Sequence, residues 1–96
     1  MIKHIVCYKL KDSSKPAAEK ARQILLSMEG RVPMIRSINV GVDIIHSERS
    51  YDLVLEVVLD DLNALEAYQG NPYHKNTVKP FMHNAREGSV SVDYAF

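Results

Sequence analysis

The segment "YDLVLEVVL", residues 51 to 59, is apolar on both sides of a strand. Side chains of a strand alternate between two faces. Leu53, Leu55, Val57 and Leu59 therefore share one side, and Val54 and Val58 lie on the other. "IKHIVCYKL", residues 2 to 10, has the same character. Ile2, His4, Val6, Tyr8 and Leu10 share one side, while Ile5 and Cys7 are apolar on the other. A sheet built from such strands needs cover on both faces. The remaining chain supplies cover for one.

That cover comes from two helical stretches. Ser13, Ser14 and Pro16 are helix-start signals, after which Ala17, Ala21, Ile24, Leu25 and Met28 recur at helical spacing. Gly30 is a natural stop. "IRSINVGV", residues 35 to 42, alternates as a second strand with Ile38, Val40 and Val42 on one face. The polar segment "DIIHSERS" turns the chain toward the strand of residues 51 to 59. Asp60 or Asp61 can cap a short helix that carries Leu62, Leu65 and Tyr68 on one side. Gly70, Asn71 and Pro72 break it, a second helical segment starts at Pro72, and Pro80 is expected to kink that segment. "SVSVDYA", residues 89 to 95, alternates as the last strand.

The order β-α-β-β-α-β is the ferredoxin-like arrangement, an α+β fold with an antiparallel four-stranded sheet and both helices on one face. At 96 residues the chain is expected to form a single domain over 1–96. A domain of this size buries only roughly 60–65% of its unfolded surface. The uncovered sheet face, with Ile5, Cys7, Val54 and Val58, predicts a homodimer packed sheet to sheet.

Charge excludes several function classes. Twelve Lys and Arg balance twelve Asp and Glu, and no block of like charge stands out, so no nucleic acid is expected as a partner. The lone Cys7 cannot form an internal disulfide, and no long apolar run or signal sequence opens the chain. A soluble, cytoplasmic protein without membrane contact is expected. His4, His46, His74 and His83 show no ligand spacing such as i, i+4, which predicts no metal site. Gly30, Gly41, Gly70 and Gly88 are isolated, so no phosphate-binding loop is expected.

Chemistry concentrates in "YQGNPYHKNTVKPF", residues 68 to 81. Asn71 can accept bonds from the amides of Tyr73 or His74, and Pro72 suits the first helical position. His74 then sits in the first turn, where the helix dipole disfavours the imidazolium. A neutral imidazole suits a general base near neutral pH. Tyr68, closing the preceding helix, can donate a hydrogen bond to a carbonyl oxygen and stabilise an enolate. Packing offers an equally coherent account: Tyr68 lies on Leu65 as core, and His74 belongs to a capped turn. His4 faces the same side as the core by strand parity, whereas Cys7 points away from it, so no Cys-His nucleophilic pair forms between them. Glu56, on the uncovered face, is expected to pair with Lys9 on a neighbouring strand.

"MIKHIVCYKLKD", "VPMIRSINVG", "YDLVLEVV", "LEAYQGNPYHKNTVKPF" and "VSVDY" resemble, in order and spacing, the stress-responsive dimeric α+β barrel (Dabb) family. The resemblance covers essentially the whole chain. It implies a ferredoxin-like protomer whose sheet pairs with a second copy into a barrel. The family includes plant stress-induced proteins, many bacterial members and a plant polyketide cyclase that closes a ring by an intramolecular aldol reaction without a cofactor. Its catalytic tyrosine and histidine correspond to Tyr68 and His74, and a pocket histidine on its first strand corresponds to His4. This sequence departs from it by having Asn71 before the proline, where histidine is frequent. Leu25 and Leu53 stand where the cyclase has a tyrosine and a histidine, implying a small, more apolar substrate pocket. Three function classes follow: a non-catalytic stress-associated dimer, a cofactor-independent cyclase or lyase acting on an apolar carbonyl ligand, and a barrel-type monooxygenase. The last is the weakest, because haem-degrading barrels of that kind use a tryptophan and this chain has none.

Overall fold

The computed structural model describes residues 1–96. Strands β1 (Ile2–Leu10), β2 (Ser37–Val42), β3 (Leu53–Leu59) and β4 (Arg86–Ala95) form one antiparallel sheet in the order β2-β3-β1-β4. Helix α1 (Lys15–Leu26) connects β1 to β2. Helix α2 (Leu62–Gly70), a π-helical turn (His74–Val78) and helix α3 (Lys79–Ala85) connect β3 to β4. This is the ferredoxin-like α+β fold.

Local chemistry sets the helix ends. Ser14 caps α1, its hydroxyl accepting from the Ala17 amide at 3.4 Å. The helix stops at Leu26, before the expected Gly30. Tight turns then carry the chain on, with Glu29 N–H donating to Leu26 O at 3.0 Å, and Gly30 adopts φ 80°, which a residue without Cβ tolerates. Asp61 caps α2 by accepting from the Ala64 amide at 2.8 Å. Of the three residues expected on its buried side, Leu62 is instead exposed, standing at the first turn beside Met1 and Ala95. The kink expected at Pro80 takes another form. Proline lacks an amide and crowds the carbonyl four residues back; here the preceding turn widens to π-helix and α3 follows it directly.

The sheet register places the core. Leu55 opposes Val6 on one side and Val40 on the other, and Val57 opposes His4 and Ile38. Leu55, Val57 and Leu59 are fully buried beneath Leu25, Met28 and Val32 from α1 and its extension. On the opposite face, β4 extends the apolar surface that β1 and β3 began. Val92 lies beside Ile5, Val90 beside Cys7 and Cys7 beside Val54. Val90 and Val92 are 51% and 60% exposed. The ion pair expected between Glu56 and Lys9 does not form. Register sets Glu56 opposite Ile5, four residues and thus about 13 Å from Lys9 along β1. Glu56 accepts from Asn39 Nδ2 at 2.9 Å, while Lys9 Nζ donates to Ser50 O at 3.0 Å.

Candidate functional site

The break between α2 and the π-helical turn is built by Asn71. Its backbone is extended (φ −60°, ψ 133°), and its side-chain oxygen accepts from Tyr73 N at 2.9 Å and His74 N at 3.2 Å. The bend sets the His74 ring against the Tyr68 ring, with centroids 4.5 Å apart and planes tilted by 37°. His4, reaching up from β1, meets the other side of Tyr68 edge-on at 5.5 Å. The three residues singled out in the sequence therefore converge, and all line one cavity of ≈ 240 Å³.

Val6 and Tyr8 continue the floor along β1, and Leu25 closes the α1 side. Val78, Lys79, Met82 and His83 form the wall from the π-turn and α3, and Arg86, Ser89 and Ser91 form it from β4. Leu25, Val6, Val78 and Met82 make one part of the lining apolar, and β4 makes the facing wall polar. Leu53 does not line this cavity. It opposes Tyr8 and Val42 and is packed into the core at 2% exposure, because Tyr8 stands between it and the open space along β4.

Electrostatics separate the roles of the three converging groups. Burial lowers the His74 pKa below the ordinary 6.5, Lys79 and His4 adding repulsion to a second positive charge. The Gln69 backbone opposes the shift. Nδ1 is buried without a protein partner, a state that costs about 1–3 kcal/mol until something pairs with it. Burial also raises the Tyr68 pKa far above 10.0, with Tyr8 and Asp93 adding to it, so this phenol stays an O–H donor. The acceptor for that hydroxyl is Met28 Sδ at 3.8 Å, a weak one. His4 Nδ1 is paired with the Asp93 carboxylate, which fixes the orientation of the ring.

Residues of β4 in and beside the cavity escaped sequence reading: Ser89 and Ser91 line it, and Asp93 stands behind His4. Asp93, Ser89 and Ser91 were visible as alternation in "SVSVDYA", but nothing in the alternation says which side faces the helices. Register answers this: Asp93 opposes His4, Ser91 opposes Val6 and Ser89 opposes Tyr8. No group of His, Cys, Asp and Glu is arranged to hold a metal ion, and no helix is long and apolar enough to cross a membrane.

An antiparallel sheet with helices on one face and an uncovered apolar surface on the other defines a class of ferredoxin-like proteins that recurs among solved structures. A dimeric ferredoxin-like protein of unknown function from Thermobifida fusca matches with TM-score 0.84 at 22% identity, over 99% of this chain and 90% of that one. A dimeric protein of unknown function from Bacteroides fragilis matches with TM-score 0.83 at 24% identity, over 99% and 95%. An antibiotic biosynthesis monooxygenase matches with TM-score 0.76 at 14% identity, over 100% and 98%. At such identities the likeness is one of fold. The sequence itself settles the family: residues 2–96 match the stress responsive A/B barrel domain, and the chain belongs to that family. No curated protein matches it.

Proposed function

We propose that the protein is a homodimer whose protomers each carry a cofactor-independent site for proton abstraction next to a carbonyl group, with His74 as base and Tyr68 as hydrogen-bond donor. The observation that carries this reading is the contact of the unprotonated-prone His74 ring with Tyr68 at the wall of the cavity. His74 takes the α-proton, the C–H electron pair moves into the carbonyl, and the enolate oxygen receives the Tyr68 O–H. The enolate carbon then either regains the proton or attacks a second carbonyl of the same molecule. In the second case a C–C bond forms, and the new alkoxide takes the proton back from His74. His4, held by Asp93, positions the Tyr68 ring from its other side.

Dimerisation is supported by the dimeric neighbours and by the row of Ile5, Cys7, Val54, Val58, Val90 and Val92 on the face without helices. Sedimentation at micromolar concentration tests it: the intact protein should run as a dimer, and Val54→Asp, which buries unpaired charge, should shift it toward monomer. For the chemistry, deuterium exchange into acetylacetone followed by mass spectrometry needs no product assay. Exchange should be lost in His74→Ala and reduced in Tyr68→Phe. Equal exchange by intact protein and His74→Ala refutes the base assignment. A second reading, packing alone, is favoured by the 1% exposure of Tyr68 and by its hydroxyl lying on Met28 Sδ; it wins if both variants leave exchange unchanged. The monooxygenase likeness stays at the level of fold.

A further inference from the structure

The pairing of β1 with β4 slips at one place. Lys9 opposes Gly88, but Leu10 opposes Arg86, so Glu87 is an extra residue in β4. In unbroken register Glu87 would follow Ser91 and Ser89 on the helix side. The bulge puts Arg86 there instead, and Glu87 turns to a surface hollow beside Lys9 and Arg49. A carboxylate is thereby exchanged for a guanidinium at the mouth of the cavity. Beyond the slip the two strands stay joined, the Lys11 amide donating to Ala85 O at 3.0 Å, while the other edge of β1 is held by the Leu10 amide donating to the buried Asp52 carboxylate at 2.7 Å.

Arg86 forms no ion pair with a carboxylate; its side-chain contact is Nη2 with His83 Nδ1 at 3.3 Å. Lys79 stands on the same cavity wall, and no Asp or Glu lines the space. Asp93, the carboxylate nearest by, is held by His4. The guanidinium is close enough to oppose the upward shift of Tyr8, whose hydroxyl burial pushes up to about 12. Tyr8, Ser89 and Ser91 add hydroxyl donors along the wall. Uncompensated positive charge beside neutral donors is the chemistry that binds a carboxylate.

We propose that the cavity selects oxo acids, small carbonyl compounds bearing a carboxylate, with Arg86 holding the anion at the bulge while the carbonyl lies at Tyr68 and His74. The inference rests on the carbonyl-site reading above and names its substrate class. A volume of ≈ 240 Å³ lies below the roughly 300–1,000 Å³ of pockets for drug-sized ligands, which fits a short-chain acid.

The test compares acetylpyruvate with its methyl ester, which keeps the dicarbonyl frame while a methyl group caps the carboxylate and removes its charge, by calorimetric binding and by deuterium exchange. The intact protein should bind the acid about tenfold or more tightly than the ester, consistent with a charge-assisted bond, and added salt should narrow the gap. Arg86→Gln should bring the two ligands to equal affinity, and Arg86→Lys should retain part of the preference, with thermal melts checking that both variants fold. Equal affinity of the intact protein for acid and ester, no saturable binding of either, or an acid preference that survives Arg86→Gln overturns the proposal. The arms separate the two readings. Exchange dependent on His74 without acid preference sinks this inference and leaves the carbonyl site standing. Acid preference dependent on Arg86 without exchange supports anion selection and sinks the proposed chemistry.

Discussion

Val6 has Leu55 beside it on β3 and Ser91 beside it on β4, both on the helix side of the sheet, yet the two neighbours live in different environments. Leu55 is 2% exposed under α1, whereas Ser91 is open to the cavity. The same contrast repeats along β1: His4 lies between buried Val57 and Asp93, and Tyr8 between buried Leu53 and Ser89. One half of this face is dry core and the other half is a lined cavity, with β1 as the boundary. The lesson is that a continuous sheet surface can be divided between stability and function by which strand the helices cover. Apolar residues sit where cover is complete. Small hydroxyls and a carboxylate sit where it stops.

The largest expected effect belongs to the dry half. Leu55→Ala should cost about 2–5 kcal/mol, because it removes buried methylenes and leaves a void that close neighbours cannot fill; urea unfolding measures it, and a loss near that of a surface substitution would break the division. Asn71→Ala should cost about 1 kcal/mol through the lost cap at Tyr73 and His74. It should also lower exchange activity, since the cap sets the angle at which His74 meets Tyr68.

The next expectation concerns pH. The folded-state pKa of His74 is depressed, so the unfolded chain takes up its proton first as pH falls through 6.5. The associated stability is present above 6.5 and is lost as pH drops toward the folded value. Denaturant titrations of His74→Ala should therefore show a shallower acid loss than the intact protein. In the same window the base stays unprotonated, so exchange activity should persist below pH 6.5 and fall only at more acidic values; an acid limb at or above 6.5 would contradict the burial of the ring. Ser91→Ala should move stability by no more than about 0.5 kcal/mol, since it has no buried packing to lose. A loss comparable to that of Leu55→Ala would show that the cavity half is packed after all.

Most of the fold was legible because its signals are local. Two-residue alternation identified the strands, side-chain oxygens before helical runs marked a start at Ser13 or Ser14 and a cap at Asp60 or Asp61, of which the structure uses Ser14 and Asp61, and the Asn71-Pro72 pair marked the bend. Of the site, Tyr68, His74 and His4 were readable as residue types with proton-handling chemistry. The resemblance put Leu53 in the pocket, and its inward parity agrees, but the sheet position that decides core against cavity depends on what packs above it. The Lys9–Glu56 pairing failed for a related reason: parity was known and register was not.

The sequence by itself determined the order of elements, the two apolar faces of β1 and β3, and the break that separates Tyr68 from His74. These depend on neighbours within about one helical turn or two strand residues, a range over which covalent geometry fixes direction. Only the tertiary structure decided that Asp93 pairs with His4 across 89 positions of sequence, that β4 turns its serines to the helices and its valines outward, and that a single bulge sets Arg86 rather than Glu87 at the cavity. Such choices depend on inter-strand register, and a shift of one residue reverses every side chain on a strand. Alternation is the same in either register, so the sequence pattern cannot distinguish them. Packing of the whole sheet against its helices can.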